Sequence, residues 1–259
     1  MDPHSRYFKQ VELLVKLLPL VAKYECFALK GGTAINLFVR DLPRLSVDID
    51  LTYVLVNQRD EALTEIDRAF RGLKADLEKL LPGLKVKGSV LEETNYFYKL
   101  VAQSGSIQVK IETTPVMRGV VGKSVQMETS PRTQEVFGYA RVPVVSFNDL
   151  YAGKLCAALN RQHPRDLFDI SVLLRDEGFS EKLMEVFLVY LVSANRPIAE
   201  LLSPNVPNFD QPFFDEFEGM TNESVTTGEL QEVRLQMVDA INSKLSASHK
   251  QFLLSFKQG

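Results

Sequence analysis

Between Gln58 and Leu81 the apolar residues Leu63, Ile66, Phe70, Leu73, Leu77 and Leu80 recur at alternating spacings of three and four. That period predicts one long amphipathic helix, stopped by Pro82-Gly83. Just before it, Val47 to Val54 alternates every second position, the mark of a strand with one buried face. Leucine-rich Arg6 to Tyr24 reads as a helix kinked or restarted at Pro19, and Glu25 to Leu29 is a short apolar run leading into Gly31-Gly32. A helical stretch from Thr33 to Arg40 follows. Three further alternating segments, Leu84 to Val90, Asn95 to Val101 and Ser106 to Thr113, are separated by polar or glycine-containing turns and predict antiparallel neighbours. Beyond Pro143 the alternation stops and the period turns helical, over Phe147 to Leu159, Pro164 to Arg175, Glu181 to Val192 and Glu229 to Leu245. The pattern predicts an α+β half with a mixed or antiparallel sheet over residues 1–145, and an all-helical half over residues 146–259. Ser203 to Pro212, with three prolines, reads as a loop or linker.

Composition adds little to this picture until charge is placed along the chain. With 45% hydrophobic and 24% charged residues in 259, the chain is of ordinary globular type. Its two cysteines, Cys26 and Cys156, make neither a disulfide framework nor a C-x-x-C pair. No run approaches the roughly 20 apolar residues of a membrane span, and Met1 to Gln10 lacks the basic-then-apolar order of a signal peptide, so a cytoplasmic protein without a membrane partner is expected. The net charge is −3, but Pro197 to Val233 holds eight carboxylates and no lysine or arginine, which leaves +5 for the rest. A phosphate-bearing ligand is expected to avoid that stretch and to be tolerated elsewhere, including at Arg161 and Arg165.

The strand period sorts Leu45-Ser46-Val47-Asp48-Ile49-Asp50-Leu51 into an apolar face and a face bearing Ser46, Asp48 and Asp50. Two carboxylates pointing the same way repel unless a cation sits between them, and magnesium is the hard ion that oxygen ligands of this kind suit. A solvated acidic strand face is the plainer reading of an isolated D-x-D. A second strand, Ile107 to Glu112, sorts in the same way, with Gln108, Lys110 and Glu112 on its polar face. Should the two strands be neighbours, Glu112 becomes the third carboxylate that two-metal nucleotidyl transfer requires; otherwise Lys110 and Glu112 are solvated charges. Upstream, Lys30-Gly31-Gly32-Thr33 lies where strand passes into helix, so the glycines let backbone N–H groups approach an anion such as a triphosphate. No G-K-[ST] follows, so this is not a Walker A loop.

Taken in order, Gly31-Gly32-Thr33, Arg44, Ser46, Asp48, Asp50 and Glu112 resemble the DNA polymerase β-like nucleotidyltransferases. The wording LKGGTAINLFVRDLPRLSVDIDL, followed later by FNDLYAGKLCAALNRQHPRDLFDI, is similar to the AbiEii/AbiGii-type toxins of bacterial abortive-infection and toxin–antitoxin systems. The resemblance implies an N-terminal polymerase β-like nucleotidyltransferase domain and a C-terminal helical bundle that completes the active-site cleft. It also implies NTP as substrate, Mg²⁺ (with Mn²⁺ as the alternative) as cofactor, a cognate antitoxin, and the tRNA 3′ end as acceptor. Metal falls to Asp48, Asp50 and Glu112. The family's D-x-x-x-x-K motif falls on Asp149 and Lys154, and its basic-Asp-x-x-Asp motif on Arg165, Asp166 and Asp169. Lys154, with Gly31, Gly32 and Thr33, is then expected to hold the triphosphate, flanked by Arg44 and Ser46. Asp166 and Asp169, three apart on one helix face, belong to the same nucleotide-binding set, where one of them can orient Lys154 or Arg165. The plainer reading of Lys154 is an ion pair with Asp149 or Asp169. Two departures stand out: Gly31-Gly32 replaces the usual Gly-Ser, and the third carboxylate is a glutamate. A small-molecule nucleotidyltransferase and an inactive nucleotide-binding partner protein are the alternative functions. His163, before Pro164, reads as a loop histidine, and Tyr96 to Tyr98 as strand aromatics.

Overall fold

The computed structural model describes residues 1–92, 94–204 and 210–258. They form two compact units, Met1–Ser146 and Phe147–Gly259. In the first, β1 (Phe27–Lys30), β2 (Asp48–Tyr53), β3 (Lys85–Val90), β4 (Phe97–Ser104), β5 (Ile107–Arg118), β6 (Val125–Glu128) and β7 (Arg141–Val144) make a seven-stranded sheet in the order β3-β4-β5-β2-β1-β7-β6. The β2–β5 and β1–β7 pairs are parallel and the rest antiparallel, so the sheet is mixed. Its apolar face aligns Leu29 with Leu51, Ile49 with Ile111, and Leu100 with Ile111, all buried. Two helices pack on the strands of this sheet, α1 (Arg6–Val21) on β5 and β7 and α3 (Arg59–Leu80) on β3 and β4. Ser5 caps α1 by accepting from the Phe8 amide at 3.2 Å. Pro19 lacks the N–H that would bond back to Val15, which is tolerated because the helix ends at Val21. The stripe of α3 buries Leu63, Ile66, Phe70, Leu73 and Leu77, whereas Leu80 at its end is exposed.

After β1 the chain enters α2 (Gly31–Ala34), which widens at once into a π-helical turn over Ile35–Val39. Three elements of the first unit escape the sequence period: β6, the helix α4 (Pro131–Phe137), and β7. Each is short; β6 is an edge strand with little burial, and Pro143 sits inside β7, where it hides the alternation.

In the second unit α5 (Phe147–Arg161) packs on α6 (Pro164–Asp176) and α7 (Glu181–Val192), and α10 (Thr227–Lys244) packs on α6. Short α8 (Ile198–Leu202) and α9 (Asp210–Glu216), and the terminal α11 (Ala247–Gln258), were not evident from periodicity. The loop expected over residues 203–212 lies partly outside the described residues, and Asp210 already opens α9. Helix starts are well specified. Thr226 and Glu229 form a capping box on α10, and His163 caps α6 by accepting from the Arg165 amide. Among the described residues no helix is long and apolar enough to cross a membrane. The α+β class expected from the sequence is therefore the one adopted, with a mixed sheet followed by helices.

Candidate active site

Parallel pairing of β2 with β5 aligns Asp50 with Glu112 and Asp48 with Lys110. On the flanking strands Lys30 aligns with Asp50, and Lys99 with Glu112. One sheet face therefore carries the row Lys30, Asp50, Glu112, Lys99, with Asp48 and Lys110 in the next row. Lys110 Nζ lies 3.0 Å from Glu112 Oε1 and 3.9 Å from Asp48 Oδ1, and Lys99 Nζ lies 3.9 Å from Glu112 Oε2. The side chains of Asp48, Lys110 and Glu112 are about one-third exposed (31–33%), so solvent reaches the row. Burial pushes the Asp50 carboxyl above its usual range, and the charge of Asp48 pushes it further. Burial lowers Lys30 despite Asp50 and Glu112. Burial also pulls on Lys110, but Asp48 and Glu112 outweigh it and hold that ammonium above its usual value.

A crowded carboxylate whose ionised form is disfavoured, beside two more on the same face, is a donor set that fits a hard divalent cation. Among the described residues no three His, Cys, Asp or Glu groups stand clustered as metal ligands. Lys110 lies between Asp48 and Glu112 and is the cation these two carboxylates face.

The turn before α2 is built around these carboxylates. Gly31 has φ +72°, and a Cβ there would collide with the Asp50 carboxylate. A Cβ on Gly32 would stand 2.7 Å from Arg44 Nη2 and 2.8 Å from Ser46 Oγ. Thr33 is fully buried, its Oγ1 2.5 Å from the Asp48 carbonyl and 3.1 Å from Ser46 Oγ. Arg44 is only 2% exposed and donates to the Leu45 carbonyl at 2.8 Å. Thr33, expected at the triphosphate, and Ser46 and Arg44, expected to flank it, are all three buried where they fix the turn against β2, and the glycines leave room for Asp50, Arg44 and Ser46. Gly31→Ala is accordingly expected to destabilise the fold by roughly 1–2 kcal/mol for the left-handed backbone alone. Displacement of Asp50 adds a loss of activity; thermal melting and a transfer assay on one preparation measure both.

In the helical unit, Lys154 on α5 is buried against α6, its Nζ 2.8 Å from Asp166 Oδ1 and 2.9 Å from Asp169 Oδ2. Arg161 adds a fork to Asp166, with Nε on Oδ2 at 2.5 Å and Nη2 on Oδ1 at 3.0 Å. Burial alone would raise Asp166, but Lys154 and Arg161 hold it well below the usual carboxylate range. Asp149, at the start of α5, accepts from the Tyr190 hydroxyl at 3.0 Å. Of the two pairings considered for Lys154, the structure therefore shows Asp169, and Asp166 joins it. Arg165 reaches Glu216 at 3.1 Å, so one carboxylate of the acidic stretch lies beside a cation where RNA contacts were expected. His163 meets the same carboxylate at 3.1 Å; its Nδ1 accepts from the Arg165 amide, so Nε2 carries the proton.

A family model described as nucleotidyl transferase AbiEii toxin, type IV TA system, matches residues 12–258. The chain belongs to the AbiEii family of nucleotidyltransferase toxins. Among solved structures it is similar to MenT4, a nucleotidyltransferase toxin from Mycobacterium tuberculosis H37Rv, at a TM-score of 0.72 and 15% identity, over 96% of this chain and 87% of that one. At that identity the likeness shows a shared fold. Comparison with curated proteins found no match.

Within this AbiEii-family chain, Lys110 was expected only as a polar-face charge beside Glu112 and Lys30 only as the residue before the glycines, and Lys99 had no expected part. Lys30 on β1 and Lys110 on β5 stand opposite Asp50 and Asp48, and Lys99 on β4 stands one strand further off, opposite Glu112. The signal was present for one of them: D-x-D set beside K-x-E in register puts Lys110 opposite Asp48, and unlike charges are favoured as cross-strand neighbours. Lys30 and Lys99 needed the strand order. Both thiols are free and are pushed up to about 12 by burial, so neither Cys26 nor Cys156 is a thiolate nucleophile near neutral pH.

Proposed function

We propose that the chain is a Mg²⁺-dependent nucleotidyltransferase that moves a nucleoside monophosphate from an NTP to an acceptor hydroxyl, with the tRNA 3′ end as acceptor. The observation that carries this reading is the register of Asp50 beside Glu112, with Asp48 two residues along the same strand face. In this reading residues 1–145 are the nucleotidyltransferase domain and residues 146–259 a helical domain, and the toxin acts in the cytoplasm opposite a cognate antitoxin. Asp48 and Asp50 hold the metal, with Mn²⁺ able to replace Mg²⁺, and Glu112 completes the set and accepts the proton of the attacking hydroxyl. The bound ion supplies Lewis-acid polarisation of the phosphate under attack. Gly31 and Gly32 set the backbone beside Asp50, and Thr33, Ser46 and Arg44 hold that turn in place. The acceptor rests on the resemblance to tRNA-modifying members of the family and on the +5 charge outside Pro197 to Val233.

Incubation with each labelled NTP, Mg²⁺ and total RNA tests the reading. Label on tRNA is expected; label on a small acceptor gives the antibiotic-type alternative, and retained nucleotide without transfer gives an inactive nucleotide-binding protein.

The placement of Glu216 sharpens the expected RNA footprint. Because Glu216 engages Arg165 and His163, neutralising it frees a cation for phosphate. Glu216→Gln is expected to tighten RNA binding about two- to fivefold, the worth of an exposed ion pair, whereas Arg165→Glu weakens it. Binding should also fall steeply with salt, as counterion release requires. Filter binding across a salt series reads both, and a flat salt response removes the polynucleotide acceptor.

A further inference from the structure

Asp48, Asp50 and Glu112 face Lys30, Lys99 and Lys110 on one sheet surface, three carboxylates against three ammonium groups, so the set is formally neutral with no metal present. Lys110 is the pivot, because its Nζ reaches carboxylates on both β2 and β5. Its side chain is one-third exposed and ends a flexible four-carbon stem, so the ammonium can leave without unpacking the core. The Lys154 ammonium, by contrast, is shut in with its two carboxylates. A free divalent cation approaching a neutralised set gains little Coulomb energy until an ammonium is displaced into water. Phosphates arriving with the cation change that balance, since they offer the displaced ammonium charge-assisted hydrogen bonds of its own.

We propose that Lys110 is a resident counter-ion that keeps the acidic set closed to a free divalent cation and opens it to one arriving with a nucleotide's phosphates, as its ammonium passes from Asp48 and Glu112 to a phosphate oxygen. The inference rests on the metal-dependent reading above and adds to it the order of loading and the residue that enforces it. Lys110 is thus a positioning residue for the acidic set before nucleotide binds, and a phosphate contact afterwards.

Manganese titration of the full chain, followed by electron paramagnetic resonance, reads the effect without any turnover. Without nucleotide, the unsubstituted protein should bind Mn²⁺ weakly, and Lys110→Met roughly tenfold or more tighter, as removal of the ammonium that lies 3.0 Å from Glu112 and 3.9 Å from Asp48 implies. A non-hydrolysable nucleoside triphosphate should raise Mn²⁺ affinity strongly in the unsubstituted protein and less in Lys110→Met. Lys110→Arg, which keeps the charge, should resemble the unsubstituted protein. Equal Mn²⁺ affinity in the unsubstituted protein and Lys110→Met overturns the proposal. If Lys110→Met folds poorly, Lys99→Met thins the same balance from the neighbouring strand; tightening supports the proposal and unchanged affinity overturns it. Failure of the transferase reading is separable, because it appears as an unsubstituted protein that transfers no label whatever its Mn²⁺ affinity.

Discussion

Asp48→Asn and Asp50→Asn are each expected to lower nucleotidyl transfer by roughly 10²–10³-fold or more while the protein remains folded, since in the metal-dependent reading proposed above each removes a charge that would act on the transition state through the bound ion. The fold has little reason to object. Asp50 is crowded by protein and its ionised form is disfavoured by burial and then by Asp48, so an amide of the same shape relieves strain of an electrostatic kind. Lys30 keeps Glu112 as a favourable neighbour, and its Nζ still donates to Thr114 Oγ1 at 3.2 Å. In Asp48→Asn, Lys110 retains Glu112 at 3.0 Å. Melting temperatures should therefore stay within a few degrees of the unsubstituted protein, with Asp50→Asn equal or higher. Label transfer and thermal melting on the same preparations separate the two effects. A folded variant of either kind with full activity ends the two-carboxylate reading, and an unfolded one shows that the acidic pair is structural.

What the sequence made legible follows from period and chemistry acting together. The strand alternation separated Asp48 and Asp50 from Ile49 and Leu51, and Lys110 and Glu112 from Val109 and Ile111, and both sets lie as expected. Long α3 was equally clear, because five buried positions on one stripe leave no other reading. Pairing between β2 and β5 was conditional, since strands separated by more than fifty residues meet only through the whole sheet order. The same non-locality hid the flanking lysines Lys30 and Lys99, which join the row through β1 and β4. The burial of Thr33 and Arg44 was hidden for a different reason. Polar residues are mostly exposed, so a fully buried threonine and an arginine at 2% exposure run against the usual tendency, and only their hydrogen bonds explain them. The close packing at the glycines at 31 and 32 was likewise hidden: their missing side chains accommodate Asp50, Arg44 and Ser46, groups of the protein itself.

Lys154→Ala is expected to act on stability first and on activity as a consequence. The ammonium is 5% exposed and its two carboxylates, Asp166 and Asp169, are fully buried, so truncation takes a positive charge from both at a place water does not reach. Breaking a buried pair by removing one partner typically costs about 3–5 kcal/mol, which for a chain of this size is a fall in melting temperature on the order of 10 °C. The pH dependence carries the sign. Asp166 is held below its usual value of 3.8 by Lys154 and Arg161 against the pull of burial, so its stabilising contribution is present above that value and is lost as pH falls below it. The gap in melting temperature between the unsubstituted protein and Lys154→Ala should therefore be full near neutral pH and narrow as pH drops below about 4. Activity of the variant at low temperature, where the fold survives, then distinguishes the two roles that the D-x-x-x-x-K motif allows. If near-normal turnover returns on cooling, Lys154 serves the architecture of α5 and α6. If the melting temperature is unchanged and the dependence on NTP concentration is lost, the ammonium leaves its carboxylates for the triphosphate, and the ion-paired arrangement is the resting state of a nucleotide contact.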